Sequence, residues 1–325
     1  MAGLTRQDRF ALVLYVSVAI AIGFADYRVR PGMQQDYGLV TYIPGVLDGS
    51  FGAPAIYRVL APYTIDLFIR FTGIAPLVAF VISRLLFIYA ALATTHVYLR
   101  QWYSPAASAG GTLGVAALLP LTFTDGWAHP DSFPELFLFT LGCAFVARKR
   151  DLAFLVVLVL AVLNRETAAF LALLWASFRL SEKVSPTTLW RAAAFALVCV
   201  AIYAGMRWLR GMRHYDYVML RENWANLKPA GPGYDPYRRV FGLFWLILLA
   251  APVWLAGKGL MASDMPLFIR RAVPVAGLFL VTCWTLSRVI EARIFLPMFP
   301  LLLPAALAAF TAPRSGVSDA APVRG

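Results

Sequence analysis

An all-α bundle of about ten membrane-crossing helices is the fold this sequence predicts, and three observations predict it. Hydrophobic residues make up 60% of the chain and charged residues only 14%, whereas soluble proteins carry roughly 25% charged residues. The apolar residues fall into long runs separated by short charged loops. No stretch has the composition of a soluble domain, so residues 1–312 are expected to form one bundle. Residues 313–325 are small and polar, as in a disordered cytoplasmic tail.

A spanning helix needs roughly 20 apolar residues, and shorter runs occur in packed bundles. The runs lie at 10–26, 74–98, 105–123, 134–147, 152–163, 167–179, 190–209, 240–257, 272–286 and 294–311. The first follows Thr5-Arg6-Gln7-Asp8-Arg9 and continues past the small residues Ala19-Ile20-Ala21. It therefore reads as an uncleaved span rather than a signal peptide. The fifth and sixth runs are short. Fusing them into one helix over 152–179 would place Asn164, Arg165 and Glu166 near the membrane midplane. An arginine there costs about 2.5–3.5 kcal/mol. Two short helices meeting at the outer surface avoid that cost. The long outer loops are 27–73 and 211–239; within the first, 56–71 is semi-apolar with Arg58, Asp66 and Arg70. That mixture predicts a helix lying in the interface.

Orientation follows from lysine and arginine in the short loops. Arg100, Arg148, Lys149, Arg150, Arg179, Lys183, Arg191, Lys258, Arg270 and Arg271 fall on one side, against Arg165, Arg288 and Arg293 on the other. Both termini are thus expected in the cytoplasm. The net charge of +12 is read as topology and contact with anionic lipid. No contiguous basic domain exists to bind nucleic acid. Cys143, Cys199 and Cys283 sit inside apolar runs, so neither a disulfide framework nor a zinc site is indicated. This cysteine usage suits a multi-pass protein of a bacterial inner membrane.

With that orientation every mixed-charge segment lands on the outer face. Asp36, in Met33-Gln34-Gln35-Asp36-Tyr37, can accept a proton from a hydroxyl or simply cap a helix. Arg58 can hold a phosphate with its planar fork or anchor to lipid head groups. The densest polar patch runs from Asp125 through His129 and Asp131 to Glu135. It can orient hydroxyls, move a proton or ligate a divalent cation; Asp131 or Ser132 as a helix N-cap is the plainer reading. Asn164-Arg165-Glu166 interrupts apolar sequence, either as a self-neutralised Arg165–Glu166 turn or with Arg165 facing a phosphate. If 288–293 is helical, Arg288 and Glu291 share a face and Arg293 projects away from Glu291. Arg288 and Arg293 then serve either a phosphate or the membrane interface.

A cytoplasmic N-terminus, one span, then a long outer loop with an early aspartate and interfacial helices resembles the GT-C superfamily of integral-membrane glycosyltransferases. The resemblance covers the layout from Phe10 to about Arg191, and more loosely 288–293. It implies an inverting sugar transfer from a polyprenyl-phosphate-linked donor to an acceptor hydroxyl of a glycan, lipid or protein, at the outer face. Asp36 corresponds to the acidic catalytic residue, with the donor phosphate among Arg58, Arg165, Arg288 and Arg293. Asp125, His129, Asp131, Glu135, Asn164, Glu166 and Glu291 would support them. No metal site or other cofactor is assigned, with a divalent cation the one option left open. The loop lacks an adjacent acidic pair, which leaves Asp48, Asp125 and Asp131 as alternative bases. The other readings are a lipid or polysaccharide transporter or flippase and a non-catalytic subunit of an envelope polysaccharide complex. Against transport, the polar residues cluster at one surface, with mainly Arg84 deep in a predicted span.

Overall fold

The computed structural model describes residues 4–29, 33–123, 129–213, 219–227, 249–262, 264–287 and 291–313, and every regular element among them is helical. The expected tail beyond Pro313 therefore lies outside the described residues, as does most of the loop 211–239.

Helix α1 spans Arg6–Val29. It begins before the apolar run because Thr5 and Asp8 cap each other. Thr5 N donates to Asp8 Oδ2 at 2.9 Å and Asp8 N donates to Thr5 Oγ1 at 3.2 Å, which satisfies amides the first turn leaves open. A π-helix, Met33–Tyr42, and α2, Ile43–Asp48, follow. After a short 3₁₀ turn, Ala55–Tyr57, comes α3, Leu60–Thr72.

Then come α4 (Pro76–Leu99), α5 (Pro105–Leu118), α6 (Ser132–Ala147), α7 (Asp151–Asn164), α8 (Ala169–Glu182) and α9 (Pro186–Arg210). Helices α5 and α9 start on Ser-Pro pairs: Ser104 accepts from Ala107 N, and Ser185 from Thr188 N. The proline at the first turn lacks only an amide the helix could not use. The remaining helices are α10 (Leu220–Leu227), α11 (249–260), α12 (Leu267–Leu286) and α13 (Met298–Ala308).

Among the described residues five helical segments are long and apolar enough to cross a membrane: Arg6–Arg28, Pro76–Leu99, Pro105–Thr122, Pro186–Arg210 and Leu267–Leu286. Helices α6, α7 and α13 are apolar but shorter. Central in the bundle, α6 packs on α4, α7 and α8, and α8 in turn packs on α9 and α12. Twelve of the sixteen residues of α6 are buried, and its Leu138, Phe139, Cys143, Ala144 and Val146 join Phe154, Trp175, Phe178, Phe268 and Phe279 in the largest apolar core.

The connections at 148–150, 165–168 and 183–185 are short, so α6 to α9 run antiparallel and the bundle has two distinct charged ends. At the first, Lys149 pairs with Glu182 at 2.6 Å and Arg191 with Asp151 at 2.7 Å. Buried Asp8 there takes His96 Nε2 at 3.0 Å and Arg100 Nε at 2.8 Å, and the other ring nitrogen of His96 meets Tyr15 OH at 2.9 Å. This network ties α1 to α4. Asp8→Asn is expected to lower stability by about 1–3 kcal/mol, read as a fall in Tm in a nanodisc; an unchanged Tm would show the network to be incidental.

The second end is built on a difference in length. Helices α7 and α8 have 14 residues each and α9 has 25. At about 1.5 Å per residue, α9 stands on the order of 10 Å taller. The α7–α8 tip therefore forms the floor of a recess that α9 overlooks.

The first long loop docks on that taller wall. Tyr57 OH donates to Gly211 O at 2.9 Å, and Arg210 Nη1 donates to Val46 O at 3.0 Å. Arg213 Nη1 donates to Phe51 O at 2.9 Å and Ser50 O at 3.2 Å. Gly49 ends α2 with φ 80°, a left-handed conformation that costs glycine little. The chain thereby turns back, and 51–55 becomes part of the recess.

Candidate functional site

The α7–α8 break is set by Arg165. Its backbone is extended, with φ −163° and ψ 140°, between the last residue of α7 and the 3₁₀ turn Glu166–Ala168. The break brings three polar side chains to the start of α6. Asn164 Nδ2 donates to the backbone carbonyl of Asp131 at 2.9 Å. Arg165 Nη1 donates to Glu135 Oε2 at 2.6 Å, and Thr167 Oγ1 donates to the other oxygen of the same carboxylate. Glu166 turns the opposite way, toward Arg58.

Arg58 is the hub. Its Nε and Nη2 reach the two oxygens of Glu166 at 3.2 and 2.5 Å, and its Nη1 reaches Asp131 Oδ2 at 3.2 Å. The Arg58 and Asp131 side chains are 7% and 0% exposed, that of Glu166 36%. Burial by itself would lower the Arg58 pKa, but the two carboxylates outweigh it and hold it well above its ordinary value. Burial likewise pushes Asp131 and Glu166 up, and the facing arginines (Arg58 first in both cases) win and hold both below the usual carboxylate range.

His129 Nδ1 lies 3.6 Å from Asp131 Oδ1, and the ring stands edge-on to Tyr42 at 5.1 Å. Burial, then the charges of Arg293, Arg58, Arg165 and Arg84, depress its pKa well below the ordinary value. The imidazole is therefore neutral near pH 7. Behind it, Arg84 donates to His129 O at 3.1 Å and pairs with Asp26 at 2.5 Å. That pairing explains an arginine two turns into an apolar helix.

These groups flank a cavity of about 680 Å³. One side is polar, with Arg58, His129, Arg165, Glu166, Glu291 and Arg293. The other is largely apolar, from α9 (Cys199, Val200, Tyr203, Ala204) and α12 (Thr282, Cys283, Leu286), with 51–55 completing the wall. Arg293 is 5% exposed and ion-paired through Nη2 with Glu291. Among the described residues, its Nε and Nη1 find no hydrogen-bond partner, nor does Nε of Arg165. Chemically, this is a largely apolar recess whose polar lining includes buried guanidinium groups with unpartnered N–H donors, suited to an amphiphile with an anionic head.

The structure thus brings Arg58, His129, Asp131, Glu135, Asn164, Arg165, Glu166, Glu291 and Arg293 to one end of the bundle. Four expectations are corrected in detail. Asp131 does hold the N-cap position of α6, but its side chain makes no capping bond; Arg58 attracts it instead. Arg165 and Glu166 do not neutralise each other, because the extended residue between α7 and the 3₁₀ turn points them to different partners. Arg293 does not project away from Glu291: 292–295 is a 3₁₀ turn with Glu291 as its N-cap, and the two side chains pair. Arg58, expected to face a phosphate, has all three guanidinium nitrogens on carboxylates.

Asp36 belongs to the helix Met33–Tyr42, six residues before Tyr42; its side chain lies outside the described residues, as do Asp125 and Arg288. Asp48 is exposed and accepts from Ser50 N at 2.8 Å in a local turn. Among the described residues no group of three or more His, Cys, Asp and Glu stands ready for a metal ion. Sequence reasoning missed the contributions of Tyr42, 51–55 and α12. For Arg84 and Asp26 a signal existed, since an arginine inside an apolar run demands a partner. For the aromatic and apolar wall none did. No family model matches the chain, and neither a curated protein nor a solved structure matches it.

Proposed function

We propose that the protein is a GT-C-like membrane glycosyltransferase that moves a sugar from a polyprenyl-phosphate-linked donor to an acceptor hydroxyl at the outer membrane face. The observation that carries this reading is the two-sided cavity: apolar helices on one side, buried arginines with open N–H groups on the other. A prenyl chain suits the first and its phosphate the second. The shorter helices complete a bundle of about ten crossings, with the basic end cytoplasmic.

Negative charge grows on the phosphate as the sugar leaves, so fixed guanidinium groups stabilise the transition state more than the ground state. Arg293 and Arg165 supply that charge. Arg58 positions Asp131 and Glu166 rather than touching donor. Asp36 deprotonates the acceptor hydroxyl as it attacks the anomeric carbon opposite the departing phosphate, giving inversion.

Purified protein in nanodiscs, given radiolabelled polyprenyl-phosphate sugars and a membrane-extract acceptor, is expected to transfer label. Asp36→Asn is expected to reduce transfer about 10²–10⁴-fold with donor binding retained. Full transfer by that variant removes Asp36 as the base. No transfer with any sugar donor removes the enzyme reading and favours transport or a non-catalytic role.

A further inference from the structure

We propose that Glu291 is a built-in surrogate for phosphate: it occupies Arg293 until a phosphate ester enters the cavity and takes its place. The inference rests on the reading above, that the cavity receives a lipid-linked phosphate, and it assigns Glu291 a role in governing affinity.

Four arginines around the buried carboxylates, Arg58, Arg84, Arg165 and Arg293, differ in how far they are committed. All three nitrogens of Arg58 are held by Asp131 and Glu166. Arg84 is held by Asp26 and the His129 carbonyl, and stacks over Phe133 at 4.8 Å. Arg165 pairs with Glu135, a carboxylate 3% exposed and pinned from its other side by Thr167. Arg293 alone among these described residues rests on a single partner that is its near neighbour in sequence and partly exposed. The side chain of Glu291 is 18% exposed and lines the cavity.

A buried guanidinium without a counterion is costly, and Glu291 removes that cost while the cavity holds no anion. Nε and Nη1 of Arg293 then remain unpartnered. Each bidentate edge of the guanidinium, Nε with Nη2 or Nη1 with Nη2, includes the Nη2 that Glu291 holds, so a phosphate gains a two-oxygen fork only by displacing the carboxylate. Like-charge repulsion follows when a phosphate arrives beside Glu291. The carboxylate, being the exposed member, swings toward the cavity mouth and its Nη2 contact passes to the phosphate. Part of the binding free energy is thus spent displacing Glu291. The device keeps the empty site intact and weakens phosphate retention, which favours release of the spent carrier.

The test is isothermal titration of geranyl phosphate into the full chain in neutral-lipid nanodiscs, with geraniol and inorganic phosphate as separate probes. Geranyl phosphate is expected to bind, geraniol not. Glu291→Gln, nearly the same shape without the charge, is expected to tighten the geranyl phosphate Kd about tenfold. Arg293→Gln is expected to abolish binding and Arg293→Lys to leave it weak, with Tm followed to separate misfolding from lost contact. Inorganic phosphate binding with the same response to Glu291→Gln assigns the site to the head group alone. A Kd within twofold of wild type in Glu291→Gln, or a weaker one, overturns the exchange, as does failure of geranyl phosphate to bind. If the Kd responds as expected but no sugar is transferred, the exchange stands and the transferase reading falls. If sugar is transferred and the Kd does not respond, the reverse holds.

Discussion

Arg58→Gln is expected to cost about 3–5 kcal/mol of stability, because it strands a buried carboxylate rather than merely removing a surface charge. Asp131 carries most of that cost, its side chain being 0% exposed. Glu166 is about a third exposed and contributes less, since water screens it. The expected observation is a fall of many degrees in Tm in nanodiscs. Arg58→Gln/Asp131→Asn should recover part of the loss, because the stranded charge is gone. A single variant that melts within a degree of wild type would show that Asp131 and Glu166 find other partners.

The same pairing predicts acid sensitivity with a definite sign. The folded-state pKa values of Asp131 and Glu166 lie below their ordinary values of 3.8 and 4.5. Their contribution is therefore fully present above that range and is lost as pH falls through the lower folded values. Without Arg58 the depression shrinks, so the acid transition of the variant should begin at higher pH than that of wild type.

Gly259→Val is the second large effect. A Cβ at Gly259, in α11, would stand 1.8 Å from the carbonyl oxygen of Ala305 and 2.9 Å from its carbon. Those are backbone atoms of α13 and cannot rotate aside. The two helices must separate, at a cost of about 1–3 kcal/mol or more. The loss should reach the cavity, because α13 follows directly on the 3₁₀ turn that carries Arg293. A lower Tm and weakened geranyl phosphate binding are expected together. Gly110→Ala is the control: it is exposed in the interior of α5 with nothing within 4 Å of the added atom, so Tm should hold or rise slightly. If both variants behave alike, the close approach of α11 to α13 is not a packing constraint.

How much of this was legible in the sequence can be judged from particular residues. The break between α7 and α8 was, because Asn164, Arg165 and Glu166 are too polar to lie unpaired inside one apolar helix. The caps at Ser104 and Ser185 follow from Ser-Pro pairs. The gathering of His129, Asp131, Arg165 and Arg293 at one end was also legible, since alternating short helices return every second loop to the same face. What could not be read was who pairs with whom. Arg165 passes over adjacent Glu166 for Glu135, thirty residues away, because an extended backbone at one residue sets the direction of the next.

By itself, then, the sequence determined that the chain is helical, apolar enough for a membrane and polarised between a basic end and a mixed-charge end. Hydropathy and the cost of buried charge act locally along the chain, so they can be read from it. Only the tertiary structure decided that Arg58 is an internal clamp while Arg293 keeps open donors, and that α9, α12 and 51–55 wall a cavity beside them. Those outcomes depend on helix lengths, crossing positions and side-chain directions, which bring distant residues within hydrogen-bonding distance of one another and which no local pattern encodes.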